Sequence, residues 1–236
     1  MTASGRELRV DAAGDSIYED GRYLATHASW HVEDSAWKAG HIRAMLERNS
    51  VAPQTVCEVG CGAGEILHQL SMAMPSTRFI GYELSPQALA LCAARASDRV
   101  TFHRRNLADE EVCFDCLLCI DVFEHVDDYI GFLKGIRGKA QFQVFHIPMD
   151  LNALGLLRNA MMTARRRDGH LHYFTRDTAL ATLEHSGYEI RDWFYTPSFR
   201  AYAHRPAYLA REALFRLAPD TTVRLLGGCS LMVLTC

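Results

Sequence analysis

Short apolar runs alternate with longer amphipathic stretches along most of the chain. This alternation is typical of βαβ units, in which a helix returns the chain to the start of the next parallel strand. The pattern predicts seven strands, at residues 55–60, 78–83, 100–104, 114–121, 140–147, 188–195 and 230–235. We therefore predict the α/β fold class, with helices on both faces of a doubly wound sheet.

Capping and helix-breaking residues locate the helices between these strands. Ser85 followed by Pro86 marks a helix start, because serine caps N-termini and proline fits the first turn. The other predicted helices span residues 33–49, 63–74, 127–137, 151–164, 175–187 and 206–217. No linker rich in proline, glycine or serine divides the chain, so we predict one compact domain. Within it, residues 1–50 form an N-terminal helical lid and residues 51–236 form the main domain.

Composition disfavours several classes of function. The net charge of −3 gives no general reason to expect nucleic-acid binding, which usually requires a marked basic excess. Cys57, Cys61, Cys116 and Cys119 lie in or beside apolar runs, as expected of buried thiols in a reducing compartment. We find neither a secretory signal nor an apolar run of about 18 residues, so a cytoplasmic protein without membrane insertion is expected.

A glycine-rich turn follows the first predicted strand, in the segment Glu-Val-Gly-Cys-Gly-Ala-Gly at residues 58–64. Gly60 and Gly62 permit a tight turn that lets a ligand approach the backbone. Dinucleotide-binding folds place a third glycine where this chain has Glu65, and a carboxylate there would repel a diphosphate. The turn therefore favours a nucleoside that lacks phosphates.

An acidic residue, Glu83, ends the second predicted strand. Related folds use an acid about 20 residues beyond the glycine turn to bind both ribose hydroxyls. A glycine turn alone would be weak evidence for a nucleoside site, and a strand-end acid alone would favour a solvated side chain. Their combination predicts nucleoside binding.

These motifs resemble those of class I S-adenosylmethionine-dependent methyltransferases. Residues 58–64 are similar to the first motif of that family, and residues 81–85 (Gly-Tyr-Glu-Leu-Ser) to the second. Asn106 stands where the family commonly has aspartate, which is a departure from the pattern. Residues 119–126 (Cys-Ile-Asp-Val-Phe-Glu-His-Val) resemble the branch that includes ubiquinone-biosynthesis O-methyltransferases and sugar methyltransferases. The resemblance covers residues 51–195 and weakens toward the end.

The resemblance implies a Rossmann-like sheet of order 3-2-1-4-5-7-6, with the last strand antiparallel. It also implies S-adenosylmethionine as cofactor and S-adenosylhomocysteine as product. Gly60 and Gly62 would face the methionine part, Glu83 the ribose, and Leu84 and Leu107 the adenine. Asn106 would lie near the adenine amino group and Ile120 near the ammonium group. The full set of implied cofactor residues is Glu58, Gly60, Gly62, Gly64, Glu83, Leu84, Asn106, Leu107 and Ile120.

The acceptor should lie at the carboxyl ends of the fourth and fifth strands, because ligands of such sheets bind there. A hydroxyl acceptor also needs a base, for which histidine is suited near neutral pH. The candidates are His172, His170 and His125, and the candidate substrate-binding residues are Tyr23, His146 and Tyr173. Each has a structural alternative: His125 as a helix cap, His146 as a buried core residue, and the 169–174 loop as a pocket wall.

Three further features leave alternatives open. Tyr18, Tyr23, Trp30, His31 and Trp37 resemble a lid over the cofactor, but they also suit a helix packed on the sheet. The spacing of Glu124, His125, Asp150 and His170 does not require a metal, and none is predicted. The apolar segment 151–162 with the following arginines 165–167 could rest on a membrane surface or bind a lipid-linked substrate, although a helix packed over the pocket or at a dimer seam is favoured.

The chain is thus predicted to methylate a small molecule, with oxygen slightly favoured over nitrogen as acceptor. A sugar or glycan intermediate is the first substrate hypothesis and a quinone or phenol the second. The alternatives are a nucleic-acid or protein methyltransferase, disfavoured by charge and by the strand-four motif, and a non-catalytic protein that only binds the cofactor. A nicotinamide-dependent oxidoreductase ranks last because of the glycine spacing.

Overall fold

A computed structural model describes residues 22–198 and 206–236 of the chain. All seven predicted strands are present within these ranges, and most ends differ by only one or two residues from the prediction. The strands are β1 (Thr55–Val59), β2 (Arg78–Tyr82), β3 (Val100–His103), β4 (Phe114–Ile120), β5 (Ala140–Pro148), β6 (Ile190–Thr196) and β7 (Ser230–Thr235).

The strands form one sheet of order β3-β2-β1-β4-β5-β7-β6. Strands β1 to β5 pair in parallel, whereas β7 is antiparallel to both β5 and β6. The predicted fold class and strand order are therefore confirmed. The register places Val59, at the end of β1, beside Tyr82 on β2 and Cys119 on β4. The carboxyl ends of these central strands consequently meet at one edge, where the chain order reverses direction.

Helices cover both faces of this sheet. They are α1 (Arg22–Thr26), α2 (Val32–Arg48), α3 (Glu65–Ala73), α4 (Pro86–Cys92), α5 (Tyr129–Ile136), α6 (Ala153–Leu157), α7 (Ala160–Arg167), α8 (Arg176–His185), α9 (Pro206–Leu217) and α10 (Pro219–Leu226). Ser85 caps α4 as predicted, since its hydroxyl accepts the backbone N–H of Ala88 at 3.3 Å. A short 3-10 helix, Phe123–His125, follows β4.

The segment between β5 and the loop at 169–174 differs from its prediction. A single helix over residues 151–164 was expected, but the structure has α6 and α7 separated at Asn159, whose φ is +54°. Asparagine adopts this left-handed conformation more easily than most residues. The helix axis therefore changes at Asn159, although the apolar pattern of the sequence continues across it. Helix α10 is not among the helices predicted from the sequence.

Alternate residues of β4 supply two separate cores. Leu117 and Cys119 point into a cluster with α5 and α8, whereas Cys116 and Leu118 point into a cluster with α2 and α3. The strand is buried on both faces, as expected of the centre of a parallel sheet. Cys57, Cys61, Cys116 and Cys119 are buried free thiols, so that prediction is confirmed. In the described ranges, no helix has the length and apolarity needed to cross a bilayer.

The first described residues lie over the carboxyl edge of the sheet. Tyr23 is 6% exposed, and Trp30 packs against the glycine turn. Tyr18, which belongs to the expected lid, falls outside the described residues. The division into a lid at residues 1–50 and a main domain at residues 51–236 stays a prediction.

Candidate functional site

The turn between β1 and α3 requires glycine for two reasons. Gly60, Gly62 and Gly64 all have positive φ, at 66°, 54° and 76°. In addition, a Cβ on Gly62 would lie 2.7 Å from Cδ1 of Trp30, and one on Gly60 would lie 2.8 Å from Cγ2 of Val122. A side chain at either position would therefore collide with Trp30 or Val122, both of which line a cavity beside the turn.

Glu83 holds this turn to the end of β2. Its Oε2 accepts the N–H of Gly62 at 2.9 Å, and its Oε1 accepts those of Leu84 and Ser85, both at 2.8 Å. Burial raises the pKa of Glu83, although the three backbone hydrogen bonds oppose that rise. A carboxylate offers about four acceptor positions, so three bonds leave capacity for a ligand hydroxyl.

One cavity, here called the loop cavity, runs from the glycine turn along the ends of β2 and β3. Its volume is about 510 Å³. Its lining is mostly apolar around the Glu83 carboxylate and includes Leu84, which is 56% exposed, and Leu107, which is fully buried. The side-chain oxygen of Asn106 accepts the N–H of Ala108 at 3.2 Å, which leaves its NH₂ group and one acceptor position for a ligand.

A second cavity of about 380 Å³, here called the histidine cavity, adjoins the first. Tyr23, Trp30, Gly60, Asp121 and His125 line both cavities. Eight of the other twenty lining residues are acids or histidines: Asp34, Glu58, Glu65, His31, His146, Asp150, Asp168 and His170.

Glu58, near the end of β1, is a buried acid that lines the histidine cavity. It is 1% exposed, and its Oε2 has no hydrogen-bond partner among the described residues. Burial raises its pKa well above the ordinary value. An unpaired buried carboxylate is costly, and it therefore suits a cationic ligand group.

A chain of polar side chains crosses the histidine cavity from α2 to β6. Nζ of Lys38 lies 2.8 Å from Oδ2 of Asp121, whose Oδ1 lies 2.6 Å from Nδ1 of His146. Nε2 of His146 lies in turn 2.8 Å from the hydroxyl of Thr196. Although burial opposes it, His146 and Lys38 hold the pKa of Asp121 far below its ordinary range. Asp121 has a φ of +53°, a strained value that this network helps to maintain.

The 3-10 helix after β4 carries Glu124 and His125. Both carboxylate oxygens of Glu124 are buried, and neither accepts a hydrogen bond from another described residue. Burial, followed by the charge of Asp121, raises the pKa of Glu124. Nε2 of His125 lies 3.9 Å from Oε1 of Glu124. Burial and the neighbouring His170 lower the pKa of His125 to about 4, so His125 is neutral at pH 7 and a weak base.

The 169–174 loop separates its two histidines. His170 lines the histidine cavity, and its Nδ1 lies 2.6 Å from Oδ2 of Asp150. His172 lines neither cavity; its Nε2 bonds to the carbonyl oxygen of Val126 at 2.9 Å. Tyr173 also lines neither cavity. Its hydroxyl is hydrogen-bonded to the carbonyl oxygens of Met161 and His170. His172 and Tyr173 were expected to face the acceptor, but here they anchor the loop.

Two side-chain contacts position the N-terminal segment, and one of them joins it to Asp168 at the end of α7. Nε2 of His27 lies 3.2 Å from Oδ1 of Asp168, and Nε2 of His31 lies 3.0 Å from the hydroxyl of Tyr23. Burial raises the pKa of Tyr23, and burial lowers that of His31. These contacts keep Tyr23 against the junction of the two cavities.

Most predicted site residues therefore line the two cavities. Gly64 does not; it packs on Phe102 and Cys92 behind the turn. His146 does line the histidine cavity, but its two ring nitrogens bond to Asp121 and Thr196 rather than facing a ligand freely. Sequence reasoning missed Lys38 and Asp121. Asp121 lay within the recognised strand-four motif, whereas nothing near Lys38 in the sequence indicated its partner.

Comparison with known proteins assigns the chain to a family. Residues 30–192 match the model of a family described as a methyltransferase domain. This match spans more than half of the 236 residues. The chain therefore belongs to this methyltransferase family and is a methyltransferase, which confirms the resemblance seen in its motifs. A search of curated proteins found no match.

Solved structures show the same fold at low sequence identity. Magnesium protoporphyrin IX methyltransferase (ChlM) from Synechocystis PCC 6803, with bound S-adenosylmethionine, has a TM-score of 0.63 and 15% identity over 95% of this chain and 98% of that one. A protein proposed to be a sarcosine dimethylglycine methyltransferase from Galdieria sulphuraria has a TM-score of 0.62 and 14% identity over 92% and 97%. An S-adenosylmethionine-dependent methyltransferase from Mesorhizobium loti has a TM-score of 0.53 and 18% identity over 78% and 90%.

Proposed function

We propose that the chain transfers a methyl group from S-adenosylmethionine to a small-molecule acceptor, with the cofactor spanning both cavities at Gly60 and the acceptor in the histidine cavity. The observation that carries this proposal is the joint position of the glycine turn and Glu83. Together they form a cradle of backbone groups and one carboxylate, which suits a nucleoside without phosphates.

The residues of the loop cavity fit the adenosine part. Glu83 keeps acceptor capacity for a ribose hydroxyl, and the apolar walls at Leu84 and Leu107 suit the faces of adenine. Asn106, whose oxygen also caps the following turn, can offer its NH₂ group and one acceptor position to the ring.

The residues beyond Gly60 fit the methionine part. Gly60 and Gly62 expose their backbone to the cavity, and Ile120 lines the wall opposite them. The unpartnered carboxylate oxygen of Glu58 suits the ammonium group, because a buried carboxylate gains from a cationic partner.

When bound, S-adenosylmethionine supplies a methyl group on a sulfonium, so that a carbon–oxygen or carbon–nitrogen bond forms as the carbon–sulfur bond breaks and S-adenosylhomocysteine is left. The chain must align the acceptor with that methyl group and remove the proton of a hydroxyl. The histidine cavity suits this role better than the loop cavity, because it adjoins the turn and is lined by both His125 and His170, whereas the loop cavity is lined by His125 but not His170.

The acceptor is proposed to be small and oxygen-bearing, such as a sugar or glycan intermediate or, second, a quinone or phenol. A cavity of about 380 Å³ lined by acids and histidines suits a polar molecule that offers hydroxyl groups. The net charge of −3 gives no support to a nucleic-acid acceptor. The free, mostly buried thiols support a reducing compartment, and we propose the cytoplasm.

Glu83→Ala tests the cofactor site by calorimetry with S-adenosylmethionine and S-adenosylhomocysteine. Loss of the ribose contact and of the bond to Gly62 should weaken binding of both at least about 30-fold, since charged hydrogen bonds contribute roughly 1.5–3 kcal/mol each. The matched control is Glu47→Ala, because Glu47 is 68% exposed on α2 and lies away from both cavities. Equal affinities in the two variants would refute the site.

An acceptor screen separates catalysis from simple cofactor binding. Sugars, phenols and quinols are offered with the wild-type chain, and S-adenosylhomocysteine release is measured. Turnover on one of these classes supports a small-molecule enzyme. Cofactor binding with turnover only on RNA or a protein would replace the proposed acceptor class, and binding without any turnover would favour a non-catalytic protein.

A further inference from the structure

Glu124, His125 and His170 form a compact group at the histidine cavity, in which His125 and His170 line the wall and Glu124 is buried behind it. One carboxylate oxygen and one nitrogen of each ring all lie within 4.8 Å of one another. Two histidines and one carboxylate with an open side are a recurring ligand set for catalytic zinc and for non-haem iron. We propose that this group binds a divalent first-row transition metal ion, most simply Zn²⁺, to which the acceptor oxygen then coordinates.

The Glu124 carboxylate is the strongest reason for this assignment. It is 1% exposed, both its oxygens are buried, and no other described residue donates a hydrogen bond to either. Buried carboxylates are otherwise paired, hydrogen-bonded or bound to metal, because an isolated one is costly. Its nearest ring nitrogen, Nε2 of His125, is 3.9 Å away, close to the roughly 3.3 Å that separates neighbouring ligands around tetrahedral zinc.

Both histidines are also oriented as metal ligands usually are. Nδ1 of His170 lies 2.6 Å from Oδ2 of Asp150, which fixes the proton on Nδ1 and leaves the lone pair on Nε2. The His125 ring hydrogen-bonds to the backbone of Gly169, so one of its nitrogens is fixed in the same way. A ligand histidine that donates its other ring nitrogen to a carboxylate or carbonyl is the usual outer arrangement of such sites.

Backbone contacts hold the group together without a metal. The carbonyl oxygen of Glu124 accepts the N–H groups of Leu171 at 2.8 Å and His172 at 3.1 Å. The His172 side chain adds its bond to Val126. The 169–174 loop, and His170 with it, is therefore fixed against the 3-10 helix that carries the other two ligands.

A second group, His27, His31 and Asp168, is the natural comparison. In this group Nε2 of His27 meets Asp168 and Nε2 of His31 meets the hydroxyl of Tyr23, while the buried Nδ1 of His27 has no hydrogen-bond partner among the described residues. None of its members is a buried acid without a partner. Because His31 and Asp168 line the histidine cavity, this group serves as an internal control for metal binding there.

The proposal departs from the sequence-based expectation of no metal, and it concerns the corner to which the proposed function assigns the acceptor. It makes His125 and His170 ligands rather than bases. A metal-bound hydroxyl loses its proton more readily than a free one, as bound water does. That proton can pass to solvent through the cavity.

The test is titration of tag-free, chelator-treated full-length chain with Zn²⁺, and with Co²⁺ followed by its visible absorption. We expect one ion per chain. Glu124→Gln and His170→Gln should each weaken binding by more than about 100-fold, and Asp150→Asn by roughly 10- to 100-fold, as outer partners do. His31→Gln is the matched control and should bind the metal as the wild type does.

Three results would overturn the proposal: no binding of either ion by the wild type, unchanged binding in Glu124→Gln, or loss of the ion in His31→Gln with retention in Glu124→Gln. Thermal unfolding shows that each variant is folded. Calorimetry with S-adenosylmethionine is run on the same samples without metal, and it tests the proposed cofactor site separately from the metal site. The metal can fail to bind while the cofactor binds, and the cofactor can fail to bind while the metal binds.

Discussion

The loop cavity and the histidine cavity hold their polar groups in different ways. In the loop cavity, one carboxylate binds backbone N–H groups: Glu83 accepts from Gly62, Leu84 and Ser85. In the histidine cavity, side chains bind side chains, as in the contacts of Asp121 with Lys38 and of Asp150 with His170. The first surface depends on local backbone shape, whereas the second depends on partners that lie far apart in the sequence.

Because the two cavities are held differently, we expect different substitutions to disrupt them. A backbone cradle fails when a side chain fills its space or changes its φ, but it tolerates the loss of distant charges. A network of side chains fails when one partner is removed, because the remaining charge is left in a poorly solvated position. The three predictions below test these weaknesses, and the largest effect comes first.

Gly62→Val should abolish most cofactor binding. The residue needs a φ of +54°, and its Cβ would meet Trp30 at 2.7 Å. We expect calorimetry to show at least about a 100-fold loss of affinity for S-adenosylhomocysteine, or about 2.7 kcal/mol. Gly40→Ala is the control, since an added Cβ on this exposed helical glycine meets nothing within 4 Å. Wild-type affinity in Gly62→Val would mean that the turn does not cradle the cofactor.

Lys38→Met should destabilise the chain through Asp121. The Lys38 and Asp121 side chains are only 15% and 23% exposed, so removal of the cation leaves a poorly solvated carboxylate. We expect the free energy of unfolding in urea to fall by about 2 kcal/mol, less than for a fully buried pair. The control is Arg43→Met on the same helix, whose partner Glu47 is 68% exposed, with an expected change below about 0.5 kcal/mol.

Equal effects in the two variants would show that the network across the histidine cavity is no stronger than a surface ion pair. The double variant Lys38→Met, Asp121→Asn should regain part of the loss, because the unpaired charge is then removed as well.

Glu58→Gln should show the smallest effect, a pH-dependent gain in stability. Because burial raises the pKa of Glu58 above its ordinary value of 4.5, the folded chain binds a proton that the unfolded chain has released. Wild-type stability therefore falls as pH rises above 4.5, and the variant lacks this loss. The free energy of unfolding in urea, measured for the variant relative to the wild type, should increase by about 1 kcal/mol from pH 5 to pH 8.

Glu47→Gln provides the baseline for this measurement, since its carboxylate is 68% exposed on α2 and lines neither cavity. A flat difference for Glu58→Gln as well would mean that Glu58 is solvated as a carboxylate. It would then have no need of a cationic ligand group.

The sheet and the loop cavity could be predicted because their signals are local. Glycine spacing, the Ser85–Pro86 helix start and the strand-end Glu83 each lie within a few residues of the structure that they specify. The break at Asn159 was missed because the apolar pattern of residues 151–164 continues across it, although the backbone does not.

The histidine cavity was only partly predicted because its contacts join distant segments. His170 and His172 were expected to act together, but two residues in an irregular loop need not share a face, and the bond of His172 to Val126 turns it away from the cavity. Lys38 meets Asp121, and His27 meets Asp168, only after α1 and α2 fold over the sheet. No spacing rule in the chain encodes such pairs.

The position of Trp30 gives the chain a built-in optical reporter. Its indole touches the glycine turn and lines both cavities, so a sulfonium or thioether arriving above Gly62 would change its surroundings. Of the two other tryptophans, Trp37 also lines the histidine cavity, whereas Trp193 lies on β6 beside Arg176. Loading of the site should therefore be visible in the ultraviolet emission of the native chain, without any attached dye.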